Sequence, residues 1–262
     1  MVRGLYTSAM GMTTQMQRID VTSNNLANVN TTAFKRDGVA SQAFADRLTM
    51  RLGDPVEQSV LRMMGGNNII GTMAPGVFVD EVFTKWETGG IRATGGALDF
   101  ALIGEGFFAV TATNLDESFS EFYSRDGSLT ISSEGLLVTM DGARVQNLDG
   151  DNITLPNGDI TIDSSGRIFV NEQYIDAIRI VNFENPESLR KTRGSFYATT
   201  EESLEIDFLG QVRQRYLENS NVDAVREMVV LIDLHRAYEA NSRMVQVHDE
   251  TIGKAVNDIA RA

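Results

Sequence analysis

The chain has 262 residues, 42% hydrophobic and 23% charged, a balance that belongs to a folded protein with a sizeable core in one large or two ordinary domains. It contains no cysteine, which excludes disulfides, thiolate chemistry and sulfur-ligated zinc. Its net charge of -13 is uneven: residues 1–36 carry +3, residues 222–262 carry -2 and the middle carries -14, so the middle repels nucleic acid and anionic lipid.

Leu5, Met12, Ile19 and Leu26 recur every seven residues near the start, and Val2, Ala9 and Met16 fill the intervening spacing. This pattern predicts an amphipathic helix ending near Asn28. The same stretch, Met1 to Arg18, has neither the apolar run nor the small-residue cleavage site of an ordinary secretory signal. Asn30–Thr31–Thr32 reads as a turn and Phe34 as an apolar anchor after it. Phe44, Leu48 and Leu52 at four-residue spacing predict a short second helix within 41–52. From Gly53 to Gly76 the chain reads as a long connector with apolar Met63, Met64, Ile69, Ile70 and Met73, of a length that is usually functional or mobile.

The middle predicts strands. Val77–Thr84 is rich in β formers, and Leu98–Val110 is an apolar run cut by Gly104 and Gly106. Glycines then recur every seven or eight residues from Gly127 to Gly166, and between them Leu129–Ile131, Leu136–Val138, Ile153–Leu155, Ile160–Ile162 and Ile168–Val170 are each long enough for a strand. An antiparallel meander closed as a small barrel or sandwich is expected, since no helix separates the strands.

The last forty residues carry a second heptad stripe, Leu231, Tyr238, Val245, Ile252 and Ile259, whose other seam positions His235, Ser242 and Asp249 are polar. Two long helices with such narrow apolar faces need partners. Either they close one domain as an antiparallel pair, or they form an assembly module.

Motifs that could carry chemistry fail on context. Gly104–Glu105–Gly106 followed by Phe107–Phe108–Ala109 matches a dinucleotide fingerprint in letters, but the fingerprint must open a helix and this stretch reads as a strand, with a hairpin or bulge at the glycines. Asn147, Asp149 and Asp151 alternate like a calcium loop, yet Asn152 stands where glycine is needed, so a turn is expected. His235 and His248 fall on opposite sides of the heptad pattern, which argues against a shared metal. No catalytic, cofactor-binding or metal site is expected.

Four stretches together resemble a known family. Ser23–Asn24–Asn25–Leu26–Ala27–Asn28–Val29–Asn30–Thr31–Thr32–Ala33–Phe34–Lys35 is similar to the N-terminal signature of the axial proteins of the bacterial flagellum, the rod, hook and junction proteins. Leu98–Phe108 and Tyr123–Gly127 resemble their paired β motifs, and Leu217–Val222 with Arg236–Asn241 and Asp249 resembles their C-terminal signature. Ala33 stands where the signature usually has glycine, which suggests a loop without a positive φ there. Length and the single β insertion resemble the proximal-rod and distal-rod proteins, with Met1–Tyr6 and Gly76–Val82 inclining slightly to the proximal type.

The resemblance implies an α+β architecture: long terminal helices packed as a coiled-coil-like module (1–36 with 222–262), a short helix and connector (37–76) and a central antiparallel β-rich domain (77–221). It implies no enzyme, but a structural subunit of the basal-body rod, polymerising into a helical tube that transmits torque and encloses the export channel. Partners would be copies of itself, other rod or hook proteins and the flagellar type III export apparatus, which would carry the chain out without a cleaved signal peptide. No nucleic acid and no membrane insertion are expected. The expected assembly contacts are Leu5, Met12, Met16, Ile19, Leu26, Phe34, Leu231, Tyr238, Asn241, Val245 and Ile252. Asn24, Asn25 and Asn28 either join them, satisfying a neighbour's backbone, or cap their own helix. A hook-type axial protein, a secreted β-rich binding module with helical tails and a wall-acting glycan hydrolase are the alternatives.

Overall fold

The computed structural model describes residues 2–50, 69–113, 119–156, 158–192 and 194–260. The chain falls into two compact units: one contains Met1–Asn24, Asp37–Phe83 and Val225–Ala262, the other Asn25–Arg36 and Thr84–Ala224.

The first unit is built on two long helices, α1 (Val2–Ala27) and α2 (Ala224–Ala260). At 1.5 Å per residue they span roughly 40 and 55 Å. No described helix is long and apolar enough to cross a membrane. The helices run antiparallel, with two glycines of α1 facing side chains of α2. A β-carbon built at Gly11 would lie 3.1 Å from the Asn241 side chain, and one at Gly4 would run into His248. Contacts thus step by seven residues on both helices, as side chains on one helical face do.

A β ribbon lies beside α1 in the same unit. Asp37–Ala43 pairs with Val77–Thr84, and Arg47–Met50 pairs antiparallel with Ile69–Met73. The hydroxyls of Thr7 and Thr14 donate to the carbonyls of Pro75 (3.1 Å) and Val77 (2.9 Å). Gly76 is buried between them, its absent β-carbon leaving room for Met10. Where a helix is expected within 41–52, the described residues instead form the end of one strand and the whole of another, and Leu52 lies outside the described residues. Phe44 packs its ring on Phe78 at 4.7 Å and donates its N–H to Gly76, so tertiary pairing overrides the four-residue spacing. Of the expected connector, Ile69–Met73 is also strand, while Met63 and Met64 lie outside the described residues.

Among the described residues the second unit holds four separate sheets, whose strand pairs are all antiparallel. The largest runs from Arg190–Lys191 through Phe196–Ala198, Phe119–Ser124, Phe107–Thr113, Arg144–Val145 and Leu137–Thr139 to Leu129–Ile131. Ile180–Phe183 shares one edge of Phe107–Thr113 with Arg144–Val145, and carries Glu205–Asp207 on its far side. Ile160–Ile162, Arg167–Val170 and Gln173–Ala177 form a three-stranded sheet. Two further pairs join Gln211–Gln214 to Phe100–Ile103 and Tyr216–Glu218 to Ile91–Ala93.

Strand Phe107–Thr113 is buried on both faces, and its alternation sorts two cores. Phe108 and Val110 enter an aliphatic cluster with Leu102, Leu137, Val145, Ile153, Ile168 and Val170, whereas Phe107 and Ala109 enter an aromatic one with Tyr123, Phe183, Tyr197 and Trp86. Fully buried strands read as continuous apolar runs, which is why Phe107–Val110 shows no polar alternation. The large sheet is not closed into the expected barrel, since its end strands do not pair with each other among the described residues. Ile153–Leu155 is not a regular strand: an isolated bridge joins Leu136 to Thr154, and Ile153 donates its N–H to the Val145 carbonyl on the other side. The Gly104–Gly106 link is not a hairpin either: the strands on its two sides pair with different partners, so it passes the chain from one sheet to another.

Candidate functional site

In the second unit, three charged side chains far apart in sequence meet inside the protein. The Glu218 carboxylate accepts from Lys35 Nζ at 2.7 Å and from Arg125 Nε at 2.9 Å. The backbone N–H of Gly89 completes it at 2.9 Å. Side-chain exposures are 2% for Lys35, 1% for Glu218 and 5% for Arg125. Charges this deeply buried are tolerated only when paired and hydrogen-bonded, and here they are. Lys35 Nζ also donates to the Glu87 carbonyl (2.9 Å), and the Arg125 guanidinium donates to the carbonyls of Gly106 (2.6 Å) and Gly104 (2.5 Å).

The backbone around the cluster is bonded as densely. Ala33 N–H donates to the Glu218 carbonyl at 2.8 Å, and Asn219 N–H to that of Gly90 at 2.8 Å. Asn221 accepts from Arg36 N–H at 2.7 Å and donates its amide to the carbonyls of Lys85 and Glu87. Phe34, 4% exposed, lies under the Lys191 ammonium, 3.8 Å from its ring centre. Ala33 has a φ of +52°, contrary to the loop without positive φ suggested by its side chain. The loop keeps the left-handed turn, at a cost of roughly 1–2 kcal/mol for an L-residue.

Burial alone would raise the Glu218 carboxyl, but Arg125 and Lys35 overcome it and hold it below the ordinary carboxylate range. Burial pushes the Lys35 ammonium down, with Arg125 adding, against the attraction of Glu218. Nearby, burial pushes Asp126 up, against hydrogen bonds from Ser128 and the Thr32 hydroxyl. Both Glu218 oxygens are committed to fixed donors, so the arrangement clamps chain segments and offers no free acid or base.

The expected assembly residues distribute along the two helices. Leu5, Met12, Ile19, Leu26, Leu231, Tyr238, Asn241, Val245 and Ile252 are half-buried, and Met16 and Asn24 are exposed. Asn25 is 1% exposed, and Asn28 is half-buried, its side-chain oxygen accepting from the Thr31 hydroxyl at 3.1 Å. On α2 the buried column beside Leu231 and Tyr238 is Leu234, three residues on, while His235 and Asp249 of the expected polar column are exposed. The helices still present exposed apolar side chains, among them Tyr6, Val225, Met228, Val229, Ile232, Met244 and Val247. Sequence reasoning missed Gly4, Gly11 and His248 as packing positions. Lys35, Arg125 and Glu218 each stood in a recognised motif but had been given no role.

Comparison with known proteins explains that coincidence of motifs. The family described as "Flagella basal body rod protein" matches residues 5–35, the "Flagellar hook protein FlgE/F/G D1 domain" matches 101–170, and the "Flagellar basal body rod FlgEFG protein C-terminal" family matches 213–258. The "Flagellar basal-body rod protein FlgG" of Borreliella burgdorferi is 34% identical over 98% of this chain and 98% of its own length. The chain belongs to the flagellar basal-body rod protein family. A second FlgG, from Agrobacterium fabrum, is 34% identical over 95% of this chain and 96% of its own, and the "Flagellar basal-body rod protein FlgF" of Caulobacter vibrioides is 30% identical over 100% and 99%. In this rod-family chain each matched segment supplies one member of the buried cluster: Lys35 from the first, Arg125 from the second and Glu218 from the third.

Proposed function

We propose that this chain is a structural subunit of the flagellar basal-body rod, which polymerises through α1 and α2 into a helical tube that encloses the export channel and transmits torque. The observation that carries this reading is full-length similarity to proteins named as basal-body rod proteins, covering 98% of both chains in one case. Two long helices with half-buried heptad residues and exposed apolar neighbours support it. A heterologous contact repeated between copies builds an open helical array. Such a subunit works with copies of itself and other rod or hook proteins in the basal body, and reaches it through the type III export apparatus.

The FlgG names weigh toward a distal-rod position, against the slight inclination to the proximal type drawn from Met1–Tyr6. A rod subunit needs no catalytic centre. A carbohydrate-binding β module would need a surface aromatic platform, and the single tryptophan, Trp86, packs against Phe107 and Tyr197 instead.

The test is replacement of the native rod gene in its host by wild-type and substituted copies. The wild-type copy is expected to restore rods and swimming. Tyr238→Asp and Ile19→Asp are expected to abolish incorporation while the β core stays folded. A motile cell carrying either change would overturn assembly through these helices.

A further inference from the structure

We propose that Glu218 is the bolt of an ordered latch: Arg125 is set by the β core alone, Glu218 docks on it, and the loop bearing Lys35 is fixed only after Glu218 has docked.

The three members depend on one another unequally. Arg125 directly follows strand Phe119–Ser124, which pairs with Phe107–Thr113 along six residue pairs. Two of its nitrogens are occupied by the carbonyls of Gly104 and Gly106, in the link between two core strands. It is therefore held, and its charge partly balanced by carbonyl dipoles, whether or not the C-terminal segment is in place. Glu218 needs Arg125, but without Lys35 it would still have the guanidinium and the Gly89 N–H.

Lys35 is in a different position. Its ammonium meets one carboxylate, Glu218, and one carbonyl, Glu87, while Arg125 repels it. An ammonium with 2% side-chain exposure cannot stay buried on a single carbonyl. The loop around it leans the same way. Ala33 N–H donates to the Glu218 carbonyl, Arg36 N–H to the Asn221 side chain, and the Phe34 carbonyl accepts from Asn221 N–H. Each of these three partners lies in Glu218–Asn221, with Glu218 itself 183 residues beyond Lys35; Lys85 N–H to the Arg36 carbonyl and Lys191 Nζ to the Lys35 carbonyl tie the same loop to other segments, but neither supplies the negative charge that the buried Lys35 ammonium needs. Asn219 N–H, by contrast, is bonded to Gly90 and reports on the C-terminal segment independently of that loop. The inference goes beyond the rod reading and does not require it, because it holds or fails in the isolated protein.

The experiment is residue-resolved amide exchange on the purified full-length chain, with Glu218→Gln and Lys35→Glu beside the wild type. The reporters are the amides of Ala33 and Arg36 for the loop, Asn219 for the C-terminal segment and Ala109, bonded to the Arg179 carbonyl, for the core. Glu218→Gln is expected to speed exchange at Ala33, Arg36 and Asn219 by about a hundredfold or more, since it removes the carboxylate that pairs two buried cations, with Ala109 still exchanging far more slowly than Asn219. Lys35→Glu sets two carboxylates against each other. It is expected to release Ala33 and Arg36 while Asn219 stays within about threefold of the wild type. Protection of Ala33 in Glu218→Gln would overturn the proposal. So would an Asn219 released as far by Lys35→Glu as by Glu218→Gln, or an Ala109 that exchanges as fast as Asn219 in Glu218→Gln, which would make the core open together with the latch.

Discussion

The Lys35 ammonium and the Glu218 carboxylate lie 2.7 Å apart although 183 residues separate them in the chain. With Arg125 they make the stability of the second unit depend on the ionisation of one glutamate. The folded-state pKa of Glu218 is depressed, so its contribution is present in full above the ordinary glutamate value of about 4.3 and is lost as the pH falls through the folded value. Asp126, pushed up by burial, works in the opposite sense. Its protonation favours the native state as the pH falls below its raised value, so raw acid curves mix the two. A difference between wild type and Glu218→Gln cancels Asp126. Urea unfolding followed by the emission of the single tryptophan, Trp86, should show the variant less stable by about 3–5 kcal/mol at pH 7, with the gap closing below about pH 4. A gap independent of pH would mean that the carboxylate charge is not what holds the cluster.

Gly89 tests the same region through sterics. Its N–H donates to Glu218, and a β-carbon placed on it would run into the Asn219 carbonyl, a backbone atom that cannot swing aside. Gly89→Ala should therefore cost about 2–4 kcal/mol in the same unfolding assay, in the range of other strain and broken-network changes. Gly90→Ala meets nothing within 4 Å and should stay within about 0.5 kcal/mol of wild type.

The long helices and some of the strands between Val77 and Val170 were legible because heptad spacing and turn-forming glycines are local signals. The helix expected within 41–52 failed where Phe44 found Phe78, since a partner 34 residues away leaves no trace in a four-residue spacing. The charge cluster was hidden for a related reason. Lys35, Arg125 and Glu218 look like ordinary surface charges one by one, and only tertiary contacts, such as the antiparallel pairing of Tyr216–Glu218 with Ile91–Ala93 and the bond from Ala33 N–H to the Glu218 carbonyl, bring the last segment back to the earlier ones. A signal was nevertheless available, because three motifs of one family each carried a charged residue. The glycines of α1 read as weak helix formers, and their packing role needed the second helix to be in place.

Ala33 separates backbone strain from side-chain size. With φ at +52° and 3% exposure, it pairs an unfavourable backbone with a filled site. Glycine would relieve the left-handed strain of roughly 1–2 kcal/mol, but would lose a buried methyl worth about 0.8 kcal/mol and add unfolded-state entropy of about 0.5–1 kcal/mol. Ala33→Gly should consequently stay within about 1 kcal/mol of wild type. Ala33→Val adds a β-branch where the backbone least tolerates one, and should lose at least about 2 kcal/mol. Equal midpoints for the valine and glycine variants in urea would show that the loop adapts its backbone to the side chain.

Helix glycines in the first unit should respond in opposite directions according to what faces them. Gly253 on α2 has nothing within 4 Å of a built β-carbon, so Gly253→Ala should gain the propensity difference of about 0.8–1 kcal/mol and raise the helical melting temperature. At Gly11 the same gain is offset, because the new methyl would sit 3.1 Å from the Asn241 amide and push it by a few tenths of an ångström. Gly11→Ala should therefore lie within about 1 kcal/mol of wild type. Gly11→Leu leaves no such accommodation. Its branch must displace Asn241 and part α1 from α2, and overpacking of this kind costs about 1–3 kcal/mol. Circular dichroism melts of the three variants check the order Gly253→Ala above Gly11→Ala above Gly11→Leu. If Gly11→Leu melted with the wild type, the helices would not be in contact at that turn in solution, and assembly through their exposed faces would have to start from separate helices.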